Sequence, residues 1–425
     1  MDNTPSGSAD KAPAPKLWTK DFTIITWGTV ISMFGNALAG FAASLLVLDY
    51  TESTFMYALA LVVYTAPQII MPVLSGAILD RVSRRVTIYT LDFISAGIFF
   101  AAALIVHFEF IVMPLLALCL FILGSISSVY RVAYDSFYPL LVPEGFFSKA
   151  YSIASMLETV SAVMVPVAAA LYNAVGIVPI FFINAATFFI AAVLETQIGT
   201  GYEGYIDRQK ATATEKSRMR QMFVDIREGI KYITSDRGLS AITIYFFATT
   251  LLSAPSQVLF LPYFRANYKN GEYVFMLVMG SMLLGRFLGG INHYKRKFKP
   301  EKKFTIAMIV YVAVSFTGGF MLFVPLPLMV AMGLLEGVLG VTSYTIRISA
   351  TQSYVPDEKK GRFNGAFTML NTVGLLIGEV LAGALSSFVS TPILILVLMM
   401  INAVCAIVVI GGSKKAVSAI YNRED

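Results

Sequence analysis

The chain has 425 residues, of which 57% are hydrophobic and 14% charged, with a mean hydropathy of +0.72. Soluble domains are about one quarter charged, so this composition excludes a soluble fold and makes lipid the solvent. The net charge of +6 follows from membrane topology, set out below, and calls for no nucleic-acid partner.

Residues 1–19 are polar and Pro-rich and contain no apolar h-region. No cleaved signal is expected there, and the first span serves as its own signal. A helix needs about 20 apolar residues to cross the hydrocarbon. Twelve runs qualify, at 22–48, 55–79, 86–107, 110–134, 149–173, 177–197, 239–264, 273–293, 303–324, 328–350, 363–388 and 391–412. Unbroken apolar runs exclude a transmembrane barrel, whose strands alternate polar and apolar residues. The predicted fold is an all-α integral membrane protein, with twelve transmembrane helices in two pseudo-symmetric six-helix bundles. The bundles occupy 20–198 and 239–412. A cytoplasmic linker covers 199–238, and tails cover 1–19 and 413–425.

The linker contains MRQMFVDIREGIKYI, in which Met219, Met222, Phe223, Ile226, Ile230 and Ile233 recur at helical spacing. Two readings stay open for this amphipathic helix: it lies in the membrane interface, or it packs on the protein as a tether between halves.

Charge predicts orientation. Of 32 Lys and Arg residues, Arg265 and Lys269 fall in the loop joining spans seven and eight, and Arg131, Arg286 and Arg347 lie in or at the ends of spans. The other 27 lie on the opposite side, in the tails, the linker and the even-to-odd loops. Positive residues are retained inside, so both termini are expected in the cytoplasm. Cys119 and Cys405 lie mid-span and argue for no disulfide.

The halves read as a duplication. An offset of 213 residues carries Gly76 onto Gly289, Arg84 onto Lys297, Val142-Pro143 onto Val355-Pro356 and Lys149 onto Arg362. The same offset lays MLETV at 156–160 on MLNTV at 369–373. Such a repeat is the signature of a pseudo-symmetric transporter core.

After the second span come Gly76, Asp80-Arg81 and Arg84-Arg85, with Ser83 where a second Gly is usual. This pattern resembles that of the major facilitator superfamily. PLLVPEGFFSKA at 139–150, the linker helix and VPDEKKGRF at 355–363 resemble its drug:proton antiporter branch, which includes macrolide-efflux proteins. The resemblance implies that helices 1, 4, 7 and 10 line a central cavity. Helices 2, 5, 8 and 11 would form the seam, and 3, 6, 9 and 12 would face outward. It also implies that Asp80 and Arg84 form a gate network with an acid on helix 4, a position that Asp135 fills. Gly76, Arg81 and Arg85 complete that motif. The alternative is a static loop brace. Antiporters of this family often carry Gly-Pro in helix five, whereas this chain has Pro166 alone.

An ionisable group within the bilayer is costly and serves function or pairing. Glu158, Arg286, Glu336 and Glu379 lie mid-span in spans 5, 8, 10 and 11. Desolvation disfavours a carboxylate, so an acid that is wet in one conformation and buried in another can load and release a proton. Glu158 is the leading candidate because its repeat counterpart is the neutral Asn371. Glu336 and Glu379 are its rivals. The alternative for Glu158 is a neutral acid bonded to a nearby hydroxyl. Arg286 calls for a partner, either Glu379 or Glu336. Arg131 and Asp135 share a helix face at the cytoplasmic mouth. Asp92 and Glu195, at cytoplasmic span ends, are expected to be wet. Gly374 and Gly378 form GxxxG in span 11, and Gly280, Gly285, Gly289 and Gly290 dot span 8. Small residues permit close approach, which suits sliding seam helices.

Spans 1 and 7 supply few polar groups but many aromatics. Cavity candidates are Phe34, Asn36, Phe41, Phe247, Gln257, Phe260 and Tyr263. A sugar or phosphate carrier would need more hydrogen-bonding or basic groups to replace lost water. An aromatic pocket with one or two acids suits a large amphipathic molecule, cations included. The expectation is a bacterial, monomeric, proton-driven exporter of hydrophobic or amphipathic compounds in the cell membrane. It would touch only its substrate and lipid, with no metal, no cofactor and no ATP. A lipid, lysolipid or siderophore exporter is the alternative transport reading, and a transport-inactive sensor or structural protein is the alternative of another class. An embedded enzyme would need a cluster of His, Cys or Asp, and the two histidines, His107 and His293, lie far apart at loop edges.

Overall fold

The structure is a computed structural model. It describes residues 17–69, 82–110, 112–143, 171–199, 215–295 and 298–423, with isolated positions at 71, 146, 150, 153, 157, 164, 167 and 168. Among the described residues every regular element is a helix. In chain order they are α1 (Lys20–Thr51), α2 (Thr54–Thr65), α3 (Arg84–His107), α4 (Met113–Phe137), α5 (Ile177–Glu195), α6 (Glu215–Ser235), α7 (Arg237–Asn267), α8 (Gly271–Lys295), α9 (Pro300–Phe320), α10 (Leu326–Tyr354), α11 (Asp357–Leu385), α12 (Thr391–Cys405, with a π turn to Gly411) and α13 (Lys414–Tyr421). Ten of the twelve predicted spans have a helical counterpart here, the first part of the second is the helix Thr54–Thr65 with most of its remainder outside the described residues, and the fifth lies largely outside them. Nine helices among those described are long and apolar enough to cross a membrane.

The helices start where local chemistry lets them. Thr19, Ser53, Ser83 and Asp236 accept the N-terminal backbone N–H of Phe22, Met56, Val86 and Leu239, satisfying donors a helix leaves open. Pro sits in the first turn of α4, α9, α10 and α12, where its missing N–H costs nothing. Several helices begin a few residues before the apolar runs, because polar first turns such as Asp357 to Arg362 are helical but hydropathy leaves them out.

The start of α1 shares a core with the ends of α4 and α5, which defines a tail end of the molecule, and α1 stops at the opposite, far end. Among the described residues the halves share a core only toward the far end. There Leu45, Tyr57 and Ala58 pack with Val258, Leu259, Phe260, Leu261, Phe264 and Ala382. Toward the tail end the cores are separate. Phe22, Ile25, Ile88 and Phe137 belong to one, and Ile242, Tyr311, Ile346 and Phe363 to the other.

The glycines mostly build within a half. A Cβ on Gly285 would strike the carbonyl of Leu334, and one on Gly337 that of Met282, so α8 and α10 meet backbone to backbone. Gly374 and Gly378 face Phe247 and Leu251 of α7 in the same way. This corrects their expected place at the seam between halves. At the seam, where α2 meets α11, it is Gly383 that faces Ala58 and Phe55. The linker helix α6 packs on α11: Gly229 lies against the Arg362 carbonyl. Arg362 pairs with Asp225 at 3.0 Å and Glu228 at 2.6 Å.

Candidate functional site: a cavity, a buried acid pair and a far-end bridge

A cavity of about 620 Å³ lies against α7, α10 and α11 and opens toward the tail end, where Gln352 and Asn364 line it. Other described residues on its wall include Phe246, Thr250, Gln257, Tyr344, Arg347 and Asn371. Of the expected cavity residues, Gln257 takes its place there. Phe260 is buried in the far-end core beside Phe264, with ring centroids 5.8 Å apart, and Tyr263 packs against the same core. Phe247 is half-buried on α7 where that helix meets Gly374. Each points along a face of α7 that helix packing has claimed. The side chains of Phe34, Asn36 and Phe41 lie outside the described set.

The intramembrane acids separate. Glu336 is turned toward α9, its Oε1 3.2 Å from where a Gly318 Cβ would stand. Glu379 is 7% exposed and sits near the seam, within electrostatic range of Tyr57. One oxygen of each, Oε2, is buried without a hydrogen-bond partner. Arg286 is exposed on α8 and pairs with neither acid among the described residues. The expected dry ion pair is therefore absent, because α8 turns the two glycines Gly285 and Gly289 toward α10 and leaves Arg286 outside. Glu158 lies outside the described residues.

The tail-end motif is partly visible. Gly76, Asp80 and Arg81 lie outside the described residues. Arg84 Nη1 donates to the Ser136 carbonyl at 3.0 Å, and Arg85 donates to the Thr196 carbonyl. Both bonds tie helices within the N-terminal half. Arg131 and Asp135 are exposed near the end of α4.

A polar cluster that the sequence reading placed in water is sealed. Asp92 is 1% and Glu195 0% exposed. Ser32 donates to Asp92 Oδ2 at 2.5 Å and the Tyr130 hydroxyl donates to Glu195 Oε1 at 3.2 Å. Four helices, α1, α3, α4 and α5, meet here. The correction has a physical cause. Gly28 and Ser32, one turn apart on α1, are small enough for the helix to close over both acids. A Cβ at Gly28 would stand 2.8 Å from Glu195 Oε1. That Gly/Ser spacing was the available signal.

At the far end Arg265 of α7 pairs with Asp49 of α1 and, at 2.8 Å, with Glu272 of α8. Tyr172 donates a further hydrogen bond to Asp49. This bridge joins the two halves where they already share a core.

Apolar helices in two halves that share a core at the far end, with a cavity against α7, α10 and α11 of the C-terminal half, fit a membrane-embedded helical protein. Residues 25–325 and 296–424 match the model of the Major Facilitator Superfamily, and the chain belongs to that family. It is 24% identical over 315 residues to the uncharacterized MFS-type transporter YkuC of Bacillus subtilis, covering 71% of each chain. It is 22% identical over 286 residues to macrolide efflux protein A of Streptococcus pyogenes, covering 66% of this chain and 69% of that one. Among solved structures, the nucleoside transporter NupG is similar with a TM-score of 0.63 at 14% identity, covering 91% of this chain and 98% of that one. A POT family transporter in complex with 5-aminolevulinic acid is similar with a TM-score of 0.67 at 12% identity, covering 93% and 96%. At such identities the structural likeness speaks to the fold alone.

Proposed function

We propose that this transporter is a proton-driven exporter of amphipathic small molecules, working by alternating access in a bacterial cell membrane with its tail end in the cytoplasm. The observation that carries the reading is the cavity of about 620 Å³ that opens toward the tail end while core and ion bridge close the far end. That is the form in which an exporter takes up cargo from inside. The concentration of Lys and Arg at the tail end supports the orientation. The similarity to a macrolide efflux protein supports export of a bulky, partly apolar cargo.

Coupling falls to acids buried with no cation partner among the described residues. Glu379 is the best placed of those described, because it sits where α11 meets the other half and rocking changes its exposure. Glu336 is second, and Glu158 stays a candidate from sequence. The test is transport into inside-out vesicles under an imposed pH gradient, with Glu379→Gln, Glu336→Gln and Glu158→Gln beside the parent. Gradient-driven uptake that one of these abolishes assigns the coupling acid. Uptake indifferent to the gradient removes proton coupling and leaves a uniporter.

A further inference from the structure

Arg347 is the only charged residue among the described residues on the cavity wall. It is held by rings from three helices. Its guanidinium carbon lies 5.2 Å from the Phe246 ring of α7, 5.3 Å from Tyr344 of α10 and 4.7 Å from Phe367 of α11. Such contacts steady a cation and offset part of its desolvation, yet a ring is no acceptor for the five N–H groups of a guanidinium. Among the described residues no carboxylate and no other acceptor lies within bonding reach of Arg347. None of its nitrogens is sealed from the cavity either, since the buried unpartnered atoms do not include them. The donors are fixed in place, open and unused. Nearby polar groups are neutral: Gln352 donates to Asn364 at 2.8 Å, and Asn371 donates to the Phe367 carbonyl at 2.7 Å.

We infer that Arg347 recognises an oxyanion, so the cargo is an amphiphile bearing a carboxylate or phosphate monoester. The guanidinium fork matches that geometry with paired N–H···O bonds. The apolar body of the ligand lies along Phe246, Phe367 and Ile348. A cationic cargo meets the wrong charge at this wall, which reverses the sequence-based expectation. The inference rests on the cavity being the cargo site, but not on export or proton coupling. The same headgroup chemistry occurs in free amphiphiles and in anionic lipids.

The test is equilibrium binding to the full chain in phosphatidylcholine nanodiscs, corrected for empty discs and with no ion gradient. Dodecyl phosphate, dodecanol and dodecyltrimethylammonium share one tail and differ in head. The phosphate is expected to bind at least about tenfold more tightly than the other two, a difference near 1.4 kcal/mol. Arg347→Gln should erase that preference and Arg347→Lys should keep part of it, both with thermal unfolding checked to confirm a folded protein. Equal binding of the three heads by the parent, or an undiminished preference in a folded Arg347→Gln, overturns the proposal. Discs doped with phosphatidic acid then separate the sources. Displacement of the probe assigns the site to a lipid headgroup and retained binding to a free amphiphile, each in support of the oxyanion. Failure here leaves the vesicle experiment untouched, and the converse holds too.

Discussion

Where the N-terminal half closes four helices over Asp92 and Glu195, the C-terminal half leaves Arg347 facing open space. Among the described residues the acids have hydroxyl partners and no cation. The arginine there has aromatic neighbours and no acid. Duplicated bundles have thus spent their polar groups differently. A sealed polar cluster fixes helix register and is costly to disturb, whereas an open cation costs the fold little and is free to meet a ligand.

The contrast can be broken by comparing truncations. Glu195→Ala opens a void and strands the Tyr130 hydroxyl, and should cost about 2–4 kcal/mol in thermal unfolding. Glu195→Gln, which keeps shape and an acceptor, should cost less than half of that. Arg347→Gln should cost under about 1 kcal/mol. If it destabilises as much as Glu195→Ala, the arginine is a structural brace and the contrast fails. A smaller effect sharpens how the halves are joined. Arg265→Ala removes a partly exposed bridge worth about 1 kcal/mol or less. It should lower the tail-open population up to about fivefold, read by spin-label distances between Val82→Cys and Glu358→Cys with Cys119 and Cys405 replaced. High salt should mimic it in the parent. The smallest effect is that of Arg362→Ala, which unhooks α6 from α11. Its ion pairs are nearly half exposed, so about 0.5 kcal/mol is expected, seen as faster proteolysis of the linker with little change in global unfolding.

The spans and the duplication were legible because apolar length and a fixed offset survive in one dimension. Facing was not. Asp92 reads as a charge near a span end, and only the packing of α1 reveals that it is sealed. Phe260 and Tyr245 read as well as Phe246 for a cavity wall, since all three are aromatics on one helix. Their fates divide by rotation about α7, which puts Phe260 and Tyr245 in the two cores and Phe246 in the cavity. Arg347 reads as a terminal charge because hydropathy ends its span at 350, although α10 runs on to Tyr354 and places it within the cavity. The linker helix was legible as amphipathic, and its apolar stripe found protein: Ile233 is 3% exposed against the C-terminal core.

The shared far-end core has a thermal consequence. In the proposed alternating-access cycle, opening that end parts Leu45 and Tyr57 from Val258, Leu259 and Phe264, and water reaches apolar side chains that this packing keeps dry. Exposing apolar surface raises heat capacity, so the switch between forms should have an enthalpy that changes with temperature. Its turnover should then give a curved Eyring plot, steepening where re-wetting of this patch limits the cycle. Polar substitutions at Leu45 or Leu259 should flatten the curve.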